Sequence, residues 1–167
     1  AVPRAATVAL LATNEPSSRL QVQEVQKVAP SLGVKVAVIE LYETEYEKAF
    51  RSMTQEKADA MFVLASPILN GGRDRIIALA AKHRLPAIYE WPEHTDVGGM
   101  MAYGSSLAGL CRRVAWYVER IFKGAKPANL PVEQPTKFDL VINLKTAKQI
   151  GLALPPNLLA RADRVIR

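Results

Sequence analysis

Cysteine is nearly absent: Cys111 is the single one in 167 residues. One thiol excludes an internal disulfide and any zinc site built on cysteines. Histidine is almost as scarce, with only His83 and His94. His83 sits in Lys82-His83-Arg84, which reads as an exposed helix end. Glu90, Glu93 and His94 lie close together, but their spacing follows no metal-ligand pattern, so a polar loop is expected and no metal. No apolar run reaches the roughly 18 residues that a membrane-spanning helix needs. Phosphate-loop signatures are missing as well. Asn70-Gly71-Gly72-Arg73 places two glycines at a helix start, yet it follows neither G-x-G-x-x-G nor G-x-x-x-x-G-K, leaving only the general attraction of a helix N-terminus for anions. The net charge of +6, from 22 basic and 16 acidic residues, is scattered. No basic cluster is interleaved with aromatics, so a generally basic surface is expected and no nucleic-acid partner. Internal repeats and low-complexity tracts are also absent. Ala1-Val2-Pro3-Arg4 lacks a charged region followed by an apolar one; as it stands, the sequence predicts a soluble chain whose export signal, where one exists, precedes it.

What is present is an ordinary globular composition, 49% hydrophobic and 23% charged, at the size of one domain able to bury a core. Residues Ala6 to Thr13 form a continuous apolar run of strand length, as strands covered on both faces do. Ser17 or Ser18 is available to cap a following helix, in which Leu20, Val25, Val28 and Leu32 fall near helical spacing before Gly33. Val34 to Leu41 reads as a second strand. Thr44-Glu45-Tyr46-Glu47 has capping-box spacing ahead of a helix with Tyr46, Ala49, Phe50 and Met53 on one face. Ala60 to Ala65 gives a third strand, Gly71 to Arg84 a third helix, and Leu85 to Tyr89 a fourth strand. This alternation predicts an α/β fold: a doubly wound, Rossmann-like parallel sheet of flavodoxin-like order. Gly98 to Gly104 adds another strand. Ser105 to Lys123 is a long amphipathic helix with Leu107, Leu110, Cys111, Val114, Val118, Ile121 and Phe122 on its apolar side, where Cys111 is expected to be buried and structural. A Pro-rich connection, a strand at Phe138 to Asn143, a short helical turn at Leu144 to Gly151 and a terminal helix opened by Pro155-Pro156 complete the reading.

In open α/β sheets ligands bind beyond the carboxyl ends of the strands. Thr13, Asn14, Ser66, Asn70, Tyr89, Glu90, Trp91 and Tyr103 fall there. Hydroxyls, amides, one carboxylate and three aromatics suit a small amphipathic molecule, oriented by its polar end and covered by rings. No catalytic residue, cofactor or metal is expected from this set, although a Rossmann-like enzyme or nucleotide-binding domain stands as the alternative.

Several ordered blocks carry a resemblance: Leu85-Pro86-Ala87-Ile88-Tyr89-Glu90, Gly98-Gly99-Met100-Met101-Ala102-Tyr103-Gly104, Gly124-Ala125-Lys126-Pro127-Ala128-Asn129-Leu130-Pro131-Val132-Glu133, and the run Phe138 to Lys148. Together they resemble the substrate-binding components of ABC transporters, whose members have a type I periplasmic-binding-protein fold. The resemblance spans nearly the whole chain and corresponds to the later part of such proteins. It implies an exported, periplasmic protein with two α/β lobes that close on a small-molecule ligand, amino acids among them, and a membrane permease as partner. A sensory domain of the same fold is a related possibility. By position it implies Asn14, Ser66, Tyr89, Glu90, Trp91 and Tyr103 as cleft residues. One departure is Pro67-Ile68-Leu69 after the third strand, where a polar Asp or Asn is common in the family. The implied division is a ligand-binding lobe over 1–104, a crossover helix and Pro-rich connection over 105–135, and a returning strand and terminal helix over 136–167. Because the apolar side of the 105–123 helix would face a lobe outside this sequence, it is expected either to fold back on its own sheet or to pair with a second copy.

Overall fold

A computed structural model, which describes residue 2 and residues 5–167, shows one continuous seven-stranded sheet of order β2-β1-β3-β4-β5-β6-β7. The strands are β1 (Thr7–Ala12), β2 (Lys35–Glu40), β3 (Ala60–Val63), β4 (Ala87–Tyr89), β5 (Met101–Gly104), β6 (Asp139–Asn143) and β7 (Arg164–Ile166). The first five are parallel, in the expected flavodoxin-like order, with Val8 opposite both Val36 and Ala60. β5 and β6 run antiparallel because the chain leaves the sheet after Gly104 and comes back from the other side at Asp139. β6 and β7 are again parallel.

The helices are α1 (Pro16–Val28), α2 (Tyr46–Gln55), α3 (Pro67–Gly71), α4 (Arg73–Lys82), α5 (Leu107–Phe122), α6 (Leu144–Gln149) and α7 (Pro156–Ala160). Leu10 and Leu11 of β1 are fully buried and pack with Phe50 and Met53 of α2, Met61 of β3, Leu69 of α3 and Ile76 of α4. Each such side chain contributes about 1.5–3 kcal/mol through the apolar surface it removes from water. Asp59 ties the strand starts together: its Oδ2 accepts from the amides of Ala6 and Thr7 at 2.8 and 3.0 Å. Those bonds favour the ionised form and hold its carboxyl below the usual range.

Local chemistry overrides several expectations. Glu15, not a serine, is the cap residue of α1; Ser18 is buried, and its hydroxyl accepts from the Thr13 amide at 3.0 Å. The inward side of α1 is Val22 and Val25, while Leu20, Val28 and Leu32 are exposed. The capping-box spacing ahead of α2 forms no side-chain cap. The single helix expected from Gly71 starts earlier, at Pro67, because Ser66 caps it by accepting from the Ile68 amide at 3.1 Å. It breaks at Gly72, where a Cβ would stand 2.7–2.8 Å from the Tyr46 ring. Gly72 therefore leaves room for the Tyr46 ring, whereas a Cβ at Gly71 would meet nothing. The terminal helix is one short piece, α7, and the chain ends instead in β7, held by Asp163 on both backbone groups of Leu140 (Asp163 Oδ2 from the Leu140 amide at 2.8 Å, Asp163 amide to the Leu140 carbonyl at 2.9 Å).

α5 is the outlier. None of its residues is buried, and Val114 and Phe122 are 61% and 87% exposed. Cys111 is exposed rather than buried. The helix has not folded back on the sheet; its Arg113 pairs with Glu133 and its Tyr117 hydroxyl donates to the Pro131 carbonyl at 2.7 Å, both in the connection that follows it.

Candidate functional site

The sheet order reverses between β1 and β3, and in open α/β sheets ligands bind beyond the carboxyl ends of the strands at such a point. Thr13 and Glu15 follow β1 there, and Ser66 follows β3. The Glu15 carboxylate bridges the reversal: its Oε2 accepts from the Ser66 hydroxyl at 2.6 Å and from the Thr13 hydroxyl at 2.9 Å. Both hydroxyl residues are 2% exposed, so the carboxylate is held from beneath by buried groups. Glu90, beyond β4, brings a second carboxylate to the same edge. Its Oε2 accepts from the Ala65 amide at 3.0 Å, one residue before Ser66. Burial raises the Glu90 carboxyl above the ordinary carboxylate range, partly offset by that amide bond. Gln21 of α1 donates to the Ala65 carbonyl at 3.1 Å and closes the arrangement.

Trp91 follows Glu90 and is half-buried. Its ring stacks on His94 at 5.8 Å and 15°, and Tyr89 stacks on the same imidazole at 5.2 Å and 17°. Tyr89 itself is 1% exposed, because the pleat of β4 turns Ala87 and Tyr89 inward together. It supports the mouth from below, and burial raises its phenol. Tyr103 is on the open side of β5, 56% exposed, with its ring 5.9 Å from Phe138. Gly104 lets β5 pass against the Glu90 backbone. Asn14 is exposed beside Glu15, and Asn70 is on α3, one turn beyond Ser66, its carbonyl accepting from Arg73 at 3.3 Å.

The structure thus gathers Ser66, Glu90 and Trp91 with Asn14 and Asn70 at their margins, places Tyr103 on the adjoining strand, and puts Tyr89 beneath. Sequence reasoning missed Glu15. Its signal was its place just past the first strand, next to the reversal of strand order. Among the described residues no group of three or more histidine, cysteine or acidic side chains could hold a metal ion. A concavity of about 550 Å³ lies elsewhere, between α5 and residues 133–137, but it is surface of the crossover, and its Arg113 and Glu133 already pair with each other.

A family model described as "ABC transporter substrate binding protein" matches residues 1–166. The chain belongs to that family. Among curated proteins, none matches it. An "ABC domain in complex with L-Trp" from Streptococcus pneumonia superposes with a TM-score of 0.88 at 26% identity, over 98% of this chain and 56% of that one. A conserved domain protein from Vibrio cholerae superposes at 0.87 with 22% identity, over 98% of this chain and 56% of its own. A ligand-free, open substrate binding protein with adhesive properties from Clostridium difficile superposes at 0.71 with 20% identity, over 99% and 56%. The chain therefore spans little more than half the length of these solved relatives. For this member of the family, the sheet is a lobe of the periplasmic-binding-protein kind.

His94 gives the aromatic side of this lobe a pH dependence. Burial lowers its pKa, while its Nδ1 contact to the Trp91 carbonyl at 3.0 Å and the nearby Glu93 and Asp74 carboxylates oppose the shift and Arg73 adds to it. A depressed folded pKa means stability that is whole above the unfolded value of about 6.5 and lost as pH falls through the folded one. Melting temperature is therefore expected to drop between pH 7.5 and 5 by more in the parent than in His94→Phe; equal drops would sink the assignment.

Proposed function

We propose that this chain is part of the solute-binding component of an ABC import system, and that the crevice at its strand ends is one wall of an interlobe cleft closing on a small molecule with a protonated amine and an apolar or aromatic body. The observation that carries the reading is the pair of carboxylates, Glu15 and Glu90, either side of Ser66. Among the described residues no ion pair engages either of them. Two carboxylates gathered without a cation suit a cationic ligand group, which would gain a charge-assisted bond to each. Glu15 and Glu90 offer acceptors to an amine and repel a carboxylate, so a ligand that bears an amine, such as an amino acid, fits this pair better than a simple aromatic acid. The half-buried Trp91 and exposed Tyr103 supply apolar cover, and the L-Trp complex of the Streptococcus relative is of the same chemical class.

In this reading the protein is not an enzyme: it binds, closes by hinge motion and delivers to a permease, in the periplasm. The apolar side of α5 is covered by the other lobe. Native mass spectrometry of the full-length gene product, with identification of whatever co-purifies, tests the proposal. A retained amino acid or amine is expected. A retained nucleotide, or chemical turnover of an added compound, would move the assignment to a Rossmann-like enzyme. The same instrument, applied to the 167-residue chain, reports a dimer if a second copy covers α5 instead.

A further inference from the structure

Glu93 lies in a 3-10 turn, Pro92–Thr95, two residues beyond Trp91. That turn is fixed to the sheet from several sides. The Thr95 hydroxyl donates to the Pro92 carbonyl at 2.7 Å, the Asn143 amide donates to the Thr95 carbonyl at 3.0 Å, and Arg164 of β7 forms a two-pronged pair with Asp96 at 2.6 and 3.1 Å. The Glu93 side chain reaches out of this rigid turn to the start of α5. Its Oε1 accepts from the Ser106 hydroxyl at 3.0 Å and lies 3.4 Å from the Ala108 amide. Ser106 in turn caps α5 by accepting from the Gly109 amide at 3.3 Å. The other carboxylate oxygen, Oε2, is buried and has no hydrogen-bond partner.

Two facts make this contact consequential. The first is that no other residue of the sheet or its helices hydrogen-bonds α5 among the described residues; the remaining partners of α5 lie in the connection, at Pro131 and Glu133. The second is that α5 has no buried residue to hold it by packing. Its position relative to the lobe therefore rests on the backbone at Gly104–Ser105, on the return at Asp139, and on one carboxylate. A carboxylate against the first turn of a helix is also favoured by the helix dipole.

We infer that Glu93 is a positioning residue for closure: it latches the crossover helix to the turn that presents Trp91, so that the angle of α5 and the placement of the aromatic ring are set together. The inference rests on the two-lobe reading for its biological meaning, but the latch itself is a property of this chain. Its test needs no ligand, and its failure is therefore distinct from failure of the binding assignment.

The experiment uses the 167-residue chain, in which the native thiol Cys111 is exposed. Spin labels on Cys111 of α5 and on Arg51→Cys of α2 report the distance between the helix and the lobe by pulsed electron resonance. In the parent, one narrow distribution is expected. Glu93→Ala is expected to broaden it at least twofold while the melting temperature stays within about 3 °C. Glu93→Gln, whose amide oxygen can still accept from Ser106, is expected to restore most of the parental width. A Glu93→Ala distribution that superimposes on the parent's overturns the latch. Equal broadening in Glu93→Gln and Glu93→Ala overturns it too, because shape and acceptor would then be irrelevant. Should Glu93→Ala fail to fold, Ser106→Ala removes the same bond from the helix side and is judged by the same widths.

Discussion

Gly104→Ala is expected to destabilise the lobe by about 1–3 kcal/mol, toward the upper end of the range for overpacking a filled site. A Cβ at Gly104 would stand inside the contact radius of the Glu90 carbonyl oxygen, with the carbonyl carbon 2.9 Å away. Neither is the tip of a flexible side chain; both belong to the backbone leaving β4. Relief requires β5 to move away from β4 at the point where the chain leaves the sheet, or Glu90 and Trp91 to shift with their backbone. For a chain of this size, 3 kcal/mol corresponds to roughly 6–12 °C in melting temperature. Gly109→Ala is the matched control. It sits inside α5, where the nearest atom to a new Cβ is 3.7 Å away, and alanine in a helix interior is better than glycine by about 0.5–1 kcal/mol. Calorimetry should therefore show Gly104→Ala well below the parent and Gly109→Ala level with it or above. A Gly104→Ala protein melting within 2 °C of the parent would mean that β5 has slack at this crossing.

The order of the first five strands was legible because each apolar run is continuous and each is separated by an amphipathic segment, a pattern that leaves little choice but a two-sided parallel sheet. The end of the chain was not. Leu158, Leu159, Ala162, Val165 and Ile166 sit at helical spacing, yet Val165 and Ile166 pair with Ile142 and Asn143. What decides between helix and strand is Asp163 and Arg164, whose partners Leu140 and Asp96 are distant in sequence. Local periodicity carries no trace of such contacts. The same limit explains Glu15. In its own neighbourhood it is a turn residue before a proline; its role appears only when Ser66, 51 positions later, arrives beside it. Tyr89 differs in the opposite direction. An aromatic at a strand end looks like part of a binding mouth, but the pleat buries Tyr89 together with Ala87, while Trp91, just past the end of the strand, is only half-buried. Cys111 looked buried because its helix is amphipathic; the apolar side exists, but among the described residues nothing covers it.

The carboxylate pair should control affinity for an amine and be indifferent to an acid. The decisive series is L-tryptophan, tryptamine and indole-3-propionate, which share a ring and differ in which charged group they carry. In the full-length protein, calorimetric titration is expected to show L-tryptophan bound by the parent and weakened by roughly ten- to a hundredfold in Glu15→Gln and in Glu90→Gln. That range follows from about 1.5–3 kcal/mol for a hydrogen bond to a charged group and 1.4 kcal/mol per tenfold. Glutamine keeps an acceptor for the Thr13 and Ser66 hydroxyls and for the Ala65 amide, so the lobe should stay folded while the charge is lost. Tryptamine should suffer the same penalty, whereas whatever weak binding indole-3-propionate shows should not fall in either variant. Acid should act like the Glu90 substitution. Because burial raises the Glu90 carboxyl, protonation and loss of affinity begin at a higher pH than for a freely solvated glutamate, and Glu90→Gln should flatten that part of the profile. If both variants bind L-tryptophan within twofold of the parent while Trp91→Ala abolishes binding, the ring is recognised here and the amine is read elsewhere, by the other lobe. If instead indole-3-propionate falls with the amines, Glu15 and Glu90 act by shaping the mouth, and their charge is incidental to the ligand.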